Sequence, residues 1–233
     1  MKTPYKFILF DLDRTLWDFD TNARNNISRL ITRYNLPIAD HFRFYEEFDT
    51  INREFWALYE KGEMSKERLR SERFYHSFLP YGIDDRELGE KFGEEYLDTM
   101  PDQTALMPDA LNVLRELHSR GVKMAVVTNG FKEVQYRKLK NSGIDNFFDA
   151  VIISEEVGFH KPSPLIFKKA VEAIGADKSA TLMVGDDIVN DIEGAQIFGI
   201  SQYFYNYKRV VCEAGPTYES DSLNGILELT ELR

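Results

Sequence analysis

The sequence predicts an α/β fold: a parallel sheet flanked by helices, with an all-helical segment inserted after the first strand. Three observations predict it. Short apolar runs of strand length alternate with amphipathic helical patterns, the arrangement that produces crossover connections and a parallel sheet. One long stretch carries helical periodicity only. The chain of 233 residues is long enough for one large domain or two smaller ones.

Lys6 to Phe10 is an apolar run that ends at Asp11 and reads as a buried strand. From about Trp17 to Met100 the pattern is helical. Ala23, Ile27, Leu30, Ile31 and Tyr34 share one face, as do Phe44, Phe48, Ile51, Phe55, Leu58 and Tyr59 on a longer segment. Leu69, Phe74 and Phe78, and then Leu88, Phe92 and Tyr96, continue it, with breaks at Leu36-Pro37, Lys61-Gly62 and Pro80-Tyr81-Gly82. The period changes near Met107-Pro108. Pro108 opens a helix that Gly121 closes, and Val122 to Val127 is a strand ending in Thr128-Asn129-Gly130. A helix around Glu133 to Asn141 is closed by Gly143, and Ala150 to Ile153 is a third strand. Ser163 to Ile174 is a helix, and Thr181 to Val184 a fourth strand ending in Gly185-Asp186-Asp187. A helix near Ile192 to Phe198 stops at Gly199, Gln202 to Tyr205 is a fifth strand, and Leu223 to Leu232 is a closing helix.

Hydrophobic residues at 43% and charged residues at 29% are ordinary for a water-soluble globular protein. The formal net charge of -10 argues against non-specific nucleic-acid binding, which needs a basic footprint. The single cysteine, Cys212, excludes an internal disulfide. No apolar run is long enough to span a bilayer, and the N-terminal apolar stretch is too short for a signal peptide, so a cytoplasmic address is expected.

In an open parallel sheet, ligands sit beyond the carboxyl ends of the strands. The first strand ends in Asp11, Asp13 and Thr15, and the second in Thr128 and Asn129. The third is followed by the loop Gly158-Phe159-His160-Lys161-Pro162. The fourth ends in Asp186 and Asp187, with Asp191 one helical turn on. Clustered carboxylates raise one another's pKa, and a divalent cation removes that cost. Asp11, Asp13 and Asp186 therefore suggest a Mg²⁺ site, and the nearby lysine, threonine hydroxyl and loop amides suit a phosphate group.

These motifs resemble those of the haloacid dehalogenase (HAD) superfamily of phosphohydrolases. DLDRT resembles its first motif, VVTNG its second, Lys161 in HKPSPLIF its third and GDDIVND its acidic fourth. The resemblance implies a HAD-like Rossmannoid core over residues 1–16 and 103–233 with a helical cap over 17–102. It implies that Asp11 is the nucleophile that forms an aspartyl-phosphate and Asp13 the general acid and then base. Thr128 and the amides near Asn129 and Gly130 hold phosphate oxygens, and Lys161 pairs with the phosphoryl charge and the nucleophile. Asp186 ligates Mg²⁺ together with Asp11 and the backbone carbonyl of Asp13, while Thr15, Asp187 and Asp191 support the site.

Asp13 favours phosphatase over dehalogenase, because a departing halide needs no proton and an alkoxide does. The stretch TNGFKEVQYRKLKNSGIDNFFDAVIISEEVGFHKP resembles the branch of pyrimidine and non-canonical nucleotide 5′-nucleotidases. Arg14 departs from the acidic residue common there. The expected partner is a small phosphomonoester, with neither nucleic acid nor membrane, in a monomer or homodimer. A sugar-phosphate phosphatase or phosphosugar mutase would use the same residues, whereas a phospho-accepting receiver domain would have no use for the helical insertion. Phe42, Phe44, Tyr45, Phe48, Phe55, Trp56, Tyr59, Phe74, Tyr75 and Phe78 either fill a helical core or, in one or two cases, stack on a base. Trp17 and Phe19 either reach the cleft or pack at the hinge.

Overall fold

The computed structural model describes residues 5–230. The chain forms two compact units: one holds the described residues up to Phe19 together with those from Thr104 on, the other Asp20–Gln103.

The second unit is helical, with α1 (Phe19–Arg33), α2 (His41–Glu60), α3 (Lys66–Phe78) and α4 (Arg86–Thr99). The breaks read from Pro37, Gly62 and Pro80 to Gly82 fall between these helices. Asp40, Ser65 and Asp85 cap α2, α3 and α4 by accepting the N–H three residues on, at 3.0, 3.3 and 2.9 Å. The helical periodicity becomes an aromatic core. The Phe74 ring lies 4.8 Å from Phe48, 4.9 Å from Phe92 and 5.0 Å from Tyr96, centroid to centroid. Phe44, Tyr45, Phe48, Phe74 and Phe78 are buried, which accounts for half of the aromatics singled out in this unit as core residues. Phe42, Phe55, Trp56, Tyr59 and Tyr75 keep part of their surface exposed. Arg73 is buried among the rings and donates from Nη1 to Asn52 Oδ1 at 2.8 Å. Burial with no carboxylate beside it lowers its pKa to about 10.

The other unit carries β1 (Phe7–Phe10), β2 (Lys123–Thr128), β3 (Ala150–Ile153), β4 (Thr181–Gly185), β5 (Ser201–Tyr205) and β6 (Tyr218–Ser220). Its helices are α5 (Ala110–Ser119), α6 (Lys132–Asn141), α7 (Ser154–Val157), α8 (Pro164–Ile174), α9 (Gly194–Phe198) and α10 (Gly225–Leu229). The strands form one sheet in the order β3-β2-β1-β4-β5-β6, every pair parallel. Side chains alternate across a strand, so one face presents Leu9, Ala125, Val127 and Met183 to Ile166, Phe167, Ala170 and Ile174 of α8. Ile8, Phe10, Met124, Val126, Leu182 and Val184, which point the other way, are also fully buried. Burial on both faces explains why the strands read as continuous apolar runs.

Register positions the polar residues. Phe10 pairs with both Val126 and Val184, so β1, β2 and β4 end side by side and their following residues share one edge. Four features depart from expectation. The helix expected over Ile192 to Phe198 starts earlier, as a π-helical turn over Ile188–Glu193 that leads into α9. The edge strand β6 has no apolar run to announce it, because its residues YES stay partly exposed. The closing helix is shorter than expected at Gly225–Leu229, and the last residues assigned to it from the sequence lie outside the described ones. Trp17 is not helical: it forms isolated bridges with Asp13 and Leu106. Among the described residues no helix is long and apolar enough to cross a membrane.

Truncating Phe74 to alanine removes a fully buried ring with four ring neighbours. Phe74→Ala is expected to destabilise the helical unit by about 3–5 kcal/mol. Urea unfolding followed by Trp56 fluorescence in a Trp17→Phe background measures this.

Candidate active site

Asp11 is the first residue beyond β1, and its N–H donates to the Val184 carbonyl of β4 at 2.9 Å. Its carboxylate meets Lys161, whose Nζ lies 2.6 Å from Asp11 Oδ1 and 2.6 Å from Asp191 Oδ1. Lys161 is only 3% exposed and Asp191 is fully buried. Burial works against the ammonium, but the two carboxylates outweigh it and the Lys161 pKa is raised. Burial also raises the Asp11 carboxyl, a shift that Lys161 opposes and Asp13 adds to.

Lys161 is held by its backbone as well. Asn129, just past β2, accepts the Lys161 N–H on Oδ1 at 2.8 Å and donates from Nδ2 to the Lys161 carbonyl at 3.0 Å. The Asn129 side chain is thus spent on the lysine loop. Asp191 is brought in by the π-helical turn: its Oδ2 accepts the Asp187 N–H at 3.1 Å, and its carboxyl lies against Gly185, where a Cβ would collide with it. Asp187 caps that turn, accepting from Val189 N and Asn190 N at 2.9 and 2.8 Å, so its carboxylate serves the backbone.

Asp11, Asp186 and Asp191 each offer an oxygen within 4.8 Å of the others. Thr15 donates to Asp186 Oδ1 at 3.4 Å. Burial, with the Asp11 charge next, pushes Asp186 up to about 7. One ammonium faces three carboxylates here, and the donors are all hard oxygens. That excess of negative charge suits a hydrated hard dication such as Mg²⁺.

The Asp13 carboxylate stands apart from this acidic group, so any part it takes in metal binding rests on its backbone carbonyl. Its Oδ1 accepts from Lys138 Nζ at 2.6 Å and its Oδ2 from Gln135 Nε2 at 2.9 Å. The Gln135 Nε2 also donates to Thr128 Oγ1 at 2.7 Å, and Gly130 N–H donates to the same oxygen at 3.1 Å. With both lone pairs engaged, the Thr128 hydroxyl hydrogen is left to donate elsewhere. Gly130 leaves room for Gln135, since a Cβ there would meet the Gln135 amide. Trp17 is buried here. Its Nε1 donates to Ser142 Oγ at 3.2 Å and the Lys138 ammonium sits 4.2 Å from its ring centroid. Arg14, with a left-handed φ of 68°, lies 4.4 Å over Phe19.

Gln135 and Lys138 did not emerge from the sequence. In KEVQYRKLKN a lysine among several cations reads as part of a solvated face. The available signal was spacing: Lys138 falls four residues after Val134 and beside Leu139, on the buried stripe.

The sheet order, the inserted helices and the four strand-end motifs define a hydrolase fold with an acidic, lysine-bridged centre, and the chain belongs to the haloacid dehalogenase-like hydrolases. That family's model matches residues 5–199. Pyrimidine 5′-nucleotidase PynA of Streptococcus pneumoniae is 31% identical over 227 residues, covering 96% of this chain and 94% of that protein. Pyrimidine 5′-nucleotidase YjjG of Escherichia coli is 30% identical over 229 residues, covering 97% of each. The crystal structure of the putative HAD-hydrolase YfnB from Bacillus subtilis, described as bound to magnesium, superposes with a TM-score of 0.88 at 27% identity, covering 98% of this chain and 99% of that one.

Replacing Lys161 with methionine leaves Asp11 and Asp191 buried without their shared cation. Lys161→Met is expected to destabilise the α/β unit by about 3–5 kcal/mol in metal-free buffer. Urea unfolding followed by Trp17 fluorescence in a Trp56→Phe background reads it out.

Proposed function

We propose that this hydrolase cleaves phosphomonoesters through an aspartyl-phosphate on Asp11, and that its substrates are pyrimidine or non-canonical nucleoside monophosphates. The observation that carries the reading is the separation of two carboxylates two residues apart. Asp11 is bound to Lys161, and Asp13 is bound to Lys138 and Gln135. Two acids with different partners can take different roles.

In the first step an Asp11 carboxylate oxygen attacks phosphorus, and the bond from phosphorus to the ester oxygen breaks. Asp13 gives that oxygen a proton. In the second step Asp13 takes a proton from water as the water oxygen attacks phosphorus, releasing phosphate and restoring Asp11. Covalent participation splits one difficult hydrolysis into two easier displacements. The Lys161 ammonium offsets the repulsion between the anionic ester and the anionic nucleophile, while the Thr128 hydroxyl and the backbone amide at Asn129 donate to phosphoryl oxygens; the Gly130 N–H, expected from the sequence to do the same, is taken by Thr128 Oγ1. Asp11 and Asp186, with the backbone carbonyl of Asp13, would hold Mg²⁺, which supplies two further positive charges beside the ester. Thr15 and Asp191 act on this group by holding Asp186 and Lys161.

Support for the nucleotide class comes from PynA and YjjG, both named pyrimidine 5′-nucleotidases and both aligned over nearly the whole chain. The presence of Asp13 supports phosphatase chemistry over dehalogenation, since only an alkoxide leaving group needs its proton.

Hydrolysis of p-nitrophenyl phosphate is expected to require Mg²⁺, to stop with EDTA and to fall to background in Asp11→Asn. In heavy-oxygen water the label is expected in released phosphate, and label in Asp11 itself would exclude the phosphatase reading. On a panel of nucleoside monophosphates, sugar phosphates and phosphoglycolate, kcat/KM is expected to be highest for a nucleoside monophosphate. A sugar phosphate in first place would remove the nucleotidase reading and leave the phosphatase reading standing.

A further inference from the structure

We propose that Gln135 and Lys138, one turn apart on α6, are a positioning pair that sets Asp13 for proton transfer and commits the Thr128 hydroxyl to donate. This rests on the phosphatase reading above and adds residues to it.

The pair is buried: Gln135 is 1% exposed and Lys138 3%. A buried ammonium is costly unless it is matched. Burial lowers the Lys138 pKa, against the pull of Asp13, and the only carboxylate in ion-pair contact with it among the described residues is that of Asp13. The other wall of its niche is aromatic, with Trp17 at 4.2 Å and Phe19 at 5.6 Å from the ammonium. Lys138 therefore has one strong partner and little freedom to leave it.

Gln135 does the complementary work. The neighbouring carboxylate requires the amide nitrogen, not the oxygen, to face Asp13. Both hydrogens of that nitrogen are then used, one on Asp13 and one on Thr128. A single amide thus ties the proton carrier to the residue placed to hold a phosphoryl oxygen. With Lys138 on the other oxygen, both oxygens of Asp13 are engaged from one helix and its rotamer is fixed.

The helix is itself anchored beside the lysine loop. Glu155 of α7 accepts the Lys132 N–H at 2.7 Å, and Glu156 pairs with Lys132 Nζ at 2.7 Å and accepts from Tyr136 at 2.9 Å. The start of α6 is thereby fixed to the segment that leads into Lys161.

The test separates positioning from general support of the fold. The quantity kcat/KM stops at the first irreversible step, so it reports departure of the leaving group. A p-nitrophenolate departs without a proton, whereas the sugar alkoxide of a nucleoside monophosphate needs one. For the Mg²⁺-loaded enzyme, Lys138→Met is expected to raise the ratio of kcat/KM for p-nitrophenyl phosphate to that for a nucleoside monophosphate by about 30-fold or more, within the range of general acid–base contributions. Lys138→Arg, which keeps a cation in reach of Asp13, is expected to bring the ratio back to within about threefold of wild type. Gln135→Met, which also releases Thr128, is expected to lower kcat/KM for both esters. An unchanged ratio in Lys138→Met, with or without loss of both rates, overturns the role of Lys138, and undiminished rates in Gln135→Met overturn that of Gln135. A wild-type enzyme that hydrolyses neither ester overturns the phosphatase reading and this inference with it.

Discussion

The contact on which the rest of the site depends is the ammonium of Lys161 held between Asp11 and Asp191. Two carboxylates this buried do not remain charged side by side without a cation. Each arm of the contact is prepared by a different part of the chain. Asn129 clamps the lysine backbone from the end of β2, and β1 delivers Asp11. The π-helical turn after β4 swings Asp191 inward over a glycine. The wider turn is the local departure from regularity that lets one residue both brace the loop and reach the lysine.

Charge in this unit is divided between two centres. Lys161 serves the acidic group at the ends of β1 and β4, and Lys138 serves Asp13. If both carboxylates of the first motif shared one lysine, their environments would be alike and so would their protonation. Separate cations on separate elements keep them distinct, as the proposed division of roles between the two carboxylates requires. Thr128 is tied to the second of these centres, because its hydroxyl receives the same amide that holds Asp13.

The strands and the strand-end motifs were legible in the sequence because buried parallel strands leave an unmistakable apolar run, and each run broke off at a polar group. Ala150 to Ile153 was read to the residue. What escaped notice lacked such contrast. The edge strand at Tyr218–Ser220 is short and half-exposed, so it carries no pattern. The π-helical turn depends on a side chain folding back on its own backbone, which periodicity cannot express. Lys138 was hidden among like charges, since one buried lysine in a basic helix looks like its solvated neighbours until the partner across the unit is known. Asp187, expected from the sequence to support the site, caps the π-helical turn with its side chain.

Asp11 and Lys161 are 150 positions apart, and the whole helical unit lies between them in the chain. A ribosome therefore releases Asp11 long before its cation exists. The helical unit, whose contacts are all nearer in sequence, can form during that wait, while the sheet must hold its central strand open for neighbours still to come. Until Lys161 has been synthesised, the end of β1 is an unneutralised acidic strand terminus that favours solvent over burial. This chain cannot acquire its centre piecemeal, and a product cut short anywhere before Asp191 would carry Asp11 without the complete group around Lys161.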